Sequence, residues 1–179
     1  MKPAIFFDRD GVLNAIVVRD GKPASPRTPN ELRIVPEAFE VLDHFKALGF
    51  TLFVVTNQPD VSRGLMSDAD LDAIHVKLAT ALPVEEIAAC RHDNADECPC
   101  RKPKPGLLLQ LAKRHSVDLA ASWMIGDQDR DIACGRAAGC ATILLARPYN
   151  SGVAAGADHT LESLSQTLSV IPKPKSPDV

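Results

Sequence analysis

The sequence is poor in aromatic residues, has no surplus of basic charge and contains no long apolar run. Only 4% of its 179 residues are aromatic, so stacking on bases or sugar rings is not a general feature of the chain. The formal net charge of −3 argues against a nucleic-acid partner, since such proteins usually carry a basic surplus. No apolar stretch reaches the roughly 18 residues that a membrane span needs, so we expect no membrane association.

Cysteines are few, and their number is odd. Five cysteines, without a recognisable secretory signal, argue against a disulfide scaffold and favour metal binding or plain burial. The length matches one domain, and 45% apolar residues are ordinary for a globular protein. We therefore expect a single-domain, cytoplasmic monomer.

Apolar runs alternate with segments of helical periodicity along most of the chain. This alternation predicts an α/β fold, a single Rossmann-like domain over residues 1–171 with a central parallel sheet and helices on both faces. The core uses nearly all of these residues, so we expect no separate cap domain, and we expect a disordered tail at 172–179. The predicted strands cover residues 4–7, 51–56, 86–90, 123–126 and 141–145, and the predicted helices cover 37–48, 68–82, 106–115, 131–138 and 161–170.

The segment 14–36 interrupts this alternation, because it contains four prolines and no clear periodicity. Loops of this length are usually functional or disordered. We expect the segment to contact the non-reacting end of a substrate. Arg19, Lys22 and Arg27 either reach a second anionic group there or are ordinary solvated cations.

Polar residues follow three of the predicted strands, and in parallel sheets the carboxyl ends of the strands carry the functional groups. Asp8 and Asp10 follow the first strand, Thr56 ends the second and Asp127 follows the fourth. Two carboxylates this close raise each other's pKa unless a cation lies between them. Carboxylates together with phosphate oxygens are ligands that Mg²⁺ prefers. Further groups for phosphate oxygens come from Thr56-Asn57-Gln58 and Arg101-Lys102-Pro103.

A cluster of metal-ligand residue types follows the third predicted strand. Cys90, His92, Cys98 and Cys100 form a closed Cys₃His set, which suits structural Zn²⁺. The residues between them are mainly polar, so this zinc loop, residues 90–100, has no core of its own. Because the RKP segment follows the last cysteine directly, a fixed loop also fixes the two cations of that segment.

The motifs DRDGVLN, TNQ, RKP and GDQDRD stand in an order that resembles the haloacid dehalogenase (HAD) superfamily of phosphatases over residues 6–145. The resemblance implies a phosphatase with an aspartyl-phosphate intermediate. It makes Asp8 the nucleophile and Asp10 the general acid and base, while Thr56 and Lys102 hold the phosphoryl oxygens. Mg²⁺ would be held by the Asp8 and Asp127 carboxylates and by the Asp10 carbonyl.

The patterns TNQxxxxRG and CxH…CxCRKPKPG are similar to one subgroup, which holds heptose 1,7-bisphosphate 7-phosphatases and histidinol-phosphate phosphatases. The implied reaction is Mg²⁺-dependent removal of the 7-phosphate of D-glycero-D-manno-heptose 1,7-bisphosphate, with histidinol phosphate as the alternative substrate. A third hypothesis is a non-catalytic zinc-loop domain that binds a phosphorylated ligand, and the intact acidic pair argues against it. The implied substrate-binding residues are Asn14, Asn57, Gln58, Arg63 and Arg101.

Some features depart from the heptose pattern or stay open. Many heptose phosphatases have a lysine after the GD pair, where this chain has Gln128. The zinc loop is short, a spacing shared with the histidinol-phosphate branch. Asp131 is either a carboxylate near the site or an acidic residue favoured by the first turn of a helix. The heptose reaction would feed the assembly of surface polysaccharide.

Overall fold

A parallel β-sheet lies at the centre of the protein in the computed structural model, which describes residues 1–151 and 156–174. Six strands form this sheet in the order β5-β4-β1-β6-β7-β8, whereas β2 and β3 form a separate hairpin. The parallel sheet confirms the predicted α/β class. The strands are Ala4–Phe7 (β1), Val17–Arg19 (β2), Lys22–Ala24 (β3), Thr51–Asn57 (β4), Glu86–Cys90 (β5), Trp123–Gly126 (β6), Ala141–Leu145 (β7) and His159–Leu161 (β8).

The helices of the described residues pack on both faces of the sheet, as predicted. None of them is long and apolar enough to cross a membrane. The α-helices are Pro36–Ala47 (α1), Asp68–Ala81 (α2), Gly106–His115 (α3), Asp129–Ala138 (α4) and Thr167–Val170 (α5).

Side chains of β1 alternate between two apolar cores, one on each face of the sheet. Ile5 and Phe7 belong to a cluster that includes Phe45 of α1 and residues of α2. Phe6 belongs to the opposite cluster, formed with α3 and α4, and its ring stacks on that of Phe53 with centroids 5.3 Å apart. Since all four side chains of β1 are fully buried, this strand has a fixed position at the centre of the domain.

Helix ends follow the local signals in the sequence. The Ser67 hydroxyl accepts a hydrogen bond from the Asp70 N–H at 3.0 Å and caps the start of α2. Gly139 ends α4 with a φ of 85°, a conformation that favours glycine. The helix predicted over 131–138 begins two residues earlier in the structure, at Asp129.

The segment 14–36 contains a short hairpin that the sequence reasoning missed. Val17 pairs with Ala24 across the antiparallel strands β2 and β3. Asp20 and Gly21 form the turn, with φ values of 50° and 71°. An Asp-Gly pair is a strong hairpin signal, but the flanking strands are too short to show a clear alternation.

The helix predicted over 161–170 is wrong in its first six residues. Leu161 ends β8, which pairs with β7, residues 162–166 form turns and bends, and only the last four residues are helical, as α5. The edge of the sheet offers backbone hydrogen-bonding partners to residues 159–161, and that pairing outweighs the local apolar pattern there. The predicted domain bounds 1–171 and the zinc-loop bounds stay predictions. Of the predicted tail, residues 175–179 lie outside the described residues.

Candidate active site

The carboxyl edge of the sheet brings together the polar residues that follow the strands. Asp8 directly follows β1, Thr56 lies near the end of β4 and Asp127 directly follows β6. All three are buried, with at most 5% of their surface exposed. They line a cavity of about 100 Å³, together with Asp10 and Lys102.

Lys102 is the central cation of this cavity. Its Nζ donates hydrogen bonds to Asp8 Oδ1 at 2.7 Å and to the Val55 carbonyl at 2.8 Å. The Asp131 Oδ1 lies 2.7 Å from the same nitrogen. Burial opposes the charge of the ammonium group, but the carboxylates of Asp131 and Asp8 outweigh it and raise the pKa of Lys102. The ammonium group is therefore charged and is held between the carboxylates of Asp8 and Asp131.

Three buried carboxylates surround this single cation. Ligand oxygens of Asp8, Asp127 and Asp131 all lie within 4.8 Å of one another. Burial, together with the charges of Asp131 and Asp127, raises the pKa of Asp8 to about 7 against the lowering effect of Lys102. One ammonium group does not balance three carboxylates, so the site fits an additional hard cation with oxygen ligands, such as Mg²⁺.

Asp10 lies in a separate network of donors. Burial opposes its ionisation, but Arg9 and hydrogen bonds from Asn14, Ser25 and Gln58 outweigh it and lower the pKa of Asp10. The Arg9 guanidinium donates to both carboxylate oxygens, at 3.1 and 3.0 Å, and is itself fully buried. Asn14, Gln58 and Ser25 donate at 2.9, 2.8 and 2.8 Å. Asp10 is therefore held as an oriented carboxylate beside Asp8.

The amides predicted to bind substrate have different positions. Asn57 lines the cavity, and its side chain exchanges two hydrogen bonds with the Lys102 backbone, at 3.0 and 3.1 Å. Gln58 and Asn14 are fully buried behind the cavity and contact Asp10 instead. Gln58 also donates to the Thr56 hydroxyl at 2.9 Å, which orients that group.

Arg63 and Arg101 lie beside the zinc loop, and neither belongs to the described lining of the cavity. Arg63 makes a two-pronged ion pair with Asp93, with both contacts at 2.7 Å. Arg101 donates to Asn94 Oδ1 at 2.7 Å and to the His92 carbonyl at 3.0 Å. Both guanidinium groups therefore brace the loop, and their roles toward a substrate stay predictions.

The four predicted zinc ligands converge on one point. Ligand atoms of Cys90, His92, Cys98 and Cys100 lie within 4.8 Å of one another. The Cys100 Sγ is 3.3 Å from Cys90 Sγ, 3.2 Å from Cys98 Sγ and 3.3 Å from His92 Nδ1. A tetrahedral zinc centre with bonds of about 2.3 Å has edges of about 3.8 Å, only slightly longer than these. The cluster is thus compatible with a zinc-binding loop.

Several residues around the site were not singled out from the sequence. Arg9 lies between the two motif aspartates in the sequence. Its burial at the site was not predicted, because arginines are rarely buried. Ser25 is contributed by the loop that follows the hairpin and carried no local signal. Tyr149 donates to Asp127 Oδ2 at 2.5 Å, and Asn150 donates to the Asp127 carbonyl at 2.7 Å. These two follow β7 and only the folded sheet brings them to the site.

Asp131 has both of the roles that its sequence position allows, as a carboxylate near the site and as an acidic residue in the first turn of a helix. Its Oδ2 accepts a hydrogen bond from the Gln128 N–H at 3.0 Å, which caps the start of α4. Its other oxygen contacts Lys102. Arg19 and Arg27 are paired with Glu31 and Asp60, respectively, at 2.5 and 2.7 Å.

Replacing Lys102 with methionine tests the charge balance of the site. The variant leaves Asp8 and Asp131 buried without their cation, and we expect a loss of about 3–5 kcal/mol in the free energy of unfolding at pH 8. The folded-state pKa of Asp8 is already raised to about 7 and rises further in the variant. A raised folded-state pKa means that stability falls as pH rises, so the loss is smaller at pH 6.

Urea unfolding of metal-free protein at the two pH values measures this effect. The double variant Lys102→Met/Asp131→Asn is the matched control, and it should recover part of the loss because one orphaned carboxylate is gone. A loss of equal size at both pH values would contradict the charge balance described here.

Comparisons with known proteins identify a family of similar phosphatases. The HAD-hydrolase-like family model matches residues 99–169. A D-glycero-beta-D-manno-heptose-1,7-bisphosphate 7-phosphatase from Bordetella bronchiseptica is 36% identical over 146 residues, which are 79% of each chain. One from Helicobacter pylori strain 26695 is 37% identical over 138 residues, 74% of this chain and 76% of that protein.

A solved structure shows the same likeness over nearly the whole chain. The D,D-heptose 1,7-bisphosphate phosphatase from B. bronchiseptica, complexed with magnesium and phosphate, superposes with a TM-score of 0.80 at 32% identity. The match covers 94% of this chain and 97% of that chain. The protein is therefore a phosphatase, and it belongs to the HAD-like hydrolases, in the family of the D-glycero-beta-D-manno-heptose-1,7-bisphosphate 7-phosphatases.

Proposed function

We propose that the chain removes the 7-phosphate of D-glycero-D-manno-heptose 1,7-bisphosphate by way of a phosphoryl group carried on Asp8. The observation that carries the proposal is the position of this carboxylate, in the cavity at the sheet edge and 2.7 Å from the Lys102 ammonium group. The names of the similar proteins support the choice of substrate.

In the first step, an Asp8 carboxylate oxygen attacks the phosphorus of the 7-phosphate. The bond between phosphorus and the sugar oxygen breaks, and that oxygen takes a proton from Asp10. Lys102, the Thr56 hydroxyl and the Asn57 amide line the cavity and hold the remaining phosphoryl oxygens as charge is redistributed. In the second step, water attacks the same phosphorus, Asp10 takes its proton, and inorganic phosphate leaves Asp8 regenerated.

The network around Asp10 suits the second step directly. Its low pKa, maintained by Arg9 and the three other donors against the effect of burial, keeps the carboxylate ready to accept a proton from water. For the first step Asp10 must carry a proton. The negative charge of an arriving phosphate raises the pKa of a nearby carboxyl group, so substrate binding itself favours that protonation. We propose that Asn14 and Gln58 act on substrate through Asp10.

Mg²⁺ would be held by the Asp8 and Asp127 carboxylates and the Asp10 carbonyl. When bound, the ion would neutralise charge on the phosphate and on these carboxylates. The three buried carboxylates around one ammonium group support this assignment. Asp131 would remain with Lys102 and hold it toward Asp8.

The zinc loop is proposed to be a structural element. Four protein ligands would leave no open position for chemistry. Residues 101 and 102 follow the last ligand, so an ordered loop would also order Lys102. For Arg63 and Arg101 we propose contact with substrate only at its far end, since both are bonded to the loop. None of the five cysteines, all within the described residues, forms a disulfide, and cysteines used for metal binding or burial are typical of a reducing compartment, which supports a cytoplasmic enzyme.

Charge at the cavity rim favours a bisphosphate over histidinol phosphate. Arg130 is exposed in the first turn of α4 and lines the cavity. A guanidinium there attracts the second phosphate of the heptose and repels the cationic far end of histidinol phosphate. The proposed mechanism needs no residue from a second copy of the chain, and we propose that the enzyme is a monomer.

The comparison of two substrates tests the proposed function. We expect kcat/KM for heptose 1,7-bisphosphate to exceed that for histidinol phosphate by at least about 100-fold, because the far-end charges differ in sign. Phosphate release in the presence of Mg²⁺ measures both. Asp8→Asn is the control, and it should abolish release from both substrates while circular dichroism stays unchanged. Faster turnover of histidinol phosphate, or retained turnover in Asp8→Asn, would overturn the proposal.

Loss of one zinc ligand tests the role of the loop. We expect Cys98→Ser to lose the bound zinc and to lower kcat/KM about tenfold or more. Lys102 follows the C-terminal end of the zinc loop, so it is no longer held in place once the loop loses its order. Cys140→Ala, which changes a cysteine outside the cluster, should keep its zinc. Zinc content by mass spectrometry and phosphate release are measured together. A Cys98→Ser enzyme without zinc but with full activity would show that the loop does not order the site.

A further inference from the structure

The segment after β7 folds back over the carboxyl edge of the sheet. Residues 147–150 have the sequence Arg-Pro-Tyr-Asn and form one turn of 3₁₀ helix at Pro148–Asn150. Arg147 Nε donates to the Gly11 carbonyl at 3.0 Å, in the turn that follows Asp10. Tyr149 and Asn150 both contact Asp127. One short segment thus connects the two loops that carry the proposed magnesium ligands.

Asn150 and Tyr149 act on different parts of Asp127. Asn150 is buried and donates to two backbone carbonyls, that of Asp127 at 2.7 Å and that of Leu145 at 2.8 Å. It therefore fixes the main chain. The Tyr149 hydroxyl contacts the carboxylate itself, at 2.5 Å from Oδ2. The other donor to that oxygen, Gln128 Nε2, is 3.4 Å away, so the tyrosine is the principal group that sets the carboxylate's orientation.

The direction of this hydrogen bond follows from the chemistry of its two groups. An ionised carboxylate only accepts, so the Tyr149 hydroxyl donates to Asp127 Oδ2. Ligand oxygens of Asp8 and Asp131 lie within 4.8 Å of one in Asp127, and these like charges repel the Asp127 carboxylate. A donor on one oxygen opposes that repulsion and leaves the second oxygen available to a cation.

The turn after Asp10 is packed directly against this hydrogen bond. Gly11 has a φ of 83°, and a Cβ built on it would overlap Asp127 Oδ2 and the Tyr149 hydroxyl. The Tyr149 hydroxyl therefore lies where the turn that presents the Asp10 carbonyl meets the Asp127 carboxylate. The tyrosine is the contact between the two halves of the proposed cation site.

We propose that Tyr149 is a positioning residue for the divalent cation, whose hydroxyl orients the Asp127 carboxylate as a ligand. The inference rests on the proposed function and adds to it a residue outside the four motifs. Hydrogen bonds to ligating carboxylates raise metal affinity by about 10–100-fold. Tyr149 thus raises the affinity for the cation, and the phosphoryl-transfer step itself does not require the tyrosine.

The variant Tyr149→Phe removes the hydroxyl and keeps the ring. Isothermal titration calorimetry with Mg²⁺ on the substrate-free protein measures cation affinity, and the Mg²⁺ dependence of phosphate release measures the catalytic consequence. We expect Kd for Mg²⁺ to rise about tenfold or more. At saturating Mg²⁺ we expect kcat within about twofold of the unmodified enzyme. Ser151→Ala is the matched control, since within the described residues its hydroxyl donates to the Pro148 carbonyl, at 3.3 Å, and not to Asp127.

Each outcome bears on the proposal. An unchanged or tighter Mg²⁺ affinity in Tyr149→Phe overturns it, and so does an equal loss in Ser151→Ala, which would indicate general loosening of the segment. A drop in kcat that excess Mg²⁺ does not restore also overturns it. If the unmodified protein neither binds Mg²⁺ nor releases phosphate, the proposed function fails as well. Activity and binding that both survive the substitution defeat the Tyr149 inference alone.

Discussion

Repulsion among buried carboxylates is the constraint on which the site is built. Asp8, Asp127 and Asp131 lie within 4.8 Å of one another at the edge of the sheet, where water does not screen their charges. Lys102 balances part of this charge and the proposed Mg²⁺ balances more. The cluster is costly while it is unfilled, and it is ready to accept a cation together with a phosphate. The fully buried β1 and the hydrogen bonds from the segment 147–150 keep the carboxylates in place against that cost.

In the described residues, surface loops rather than a separate cap domain lie near this cluster, and ion pairs tie these loops to each other. Arg27, in the loop after the hairpin, pairs with Asp60 at 2.7 Å. Asp60 lies 3.8 Å from Arg63, which holds Asp93 of the zinc loop. This row of ion pairs joins the loop after the hairpin, the loop after β4 and the zinc loop. It engages Arg27 and Arg63, two of the cations that the sequence alone offered to the substrate, in contacts between loops.

The parts of the fold that depend on local patterns could be predicted, and so could the motif residues. Apolar strands such as β1 and caps such as Ser67 carry their signal in a few consecutive residues. Asp8, Thr56 and Asp127 were singled out because parallel strands place their carboxyl ends together, and Lys102 was singled out because the RKP segment supplies positive charge. Tyr149 could not be found this way, since its contact with Asp127 depends on β7 lying beside β6 in the sheet. The edge strand β8 was missed for the same reason: its partner, not its own sequence, makes it a strand.

The central claim is that the phosphoryl group passes through Asp8, and trapping of that intermediate tests it most directly. Enzyme turning over heptose 1,7-bisphosphate with Mg²⁺ is treated with borohydride, which reduces an acyl phosphate to an alcohol. Peptide mass spectrometry then locates the reduced residue. We expect Asp8 to be converted to homoserine, and only while substrate is present. Reduction at another carboxylate, or none at Asp8 during steady turnover, would contradict it.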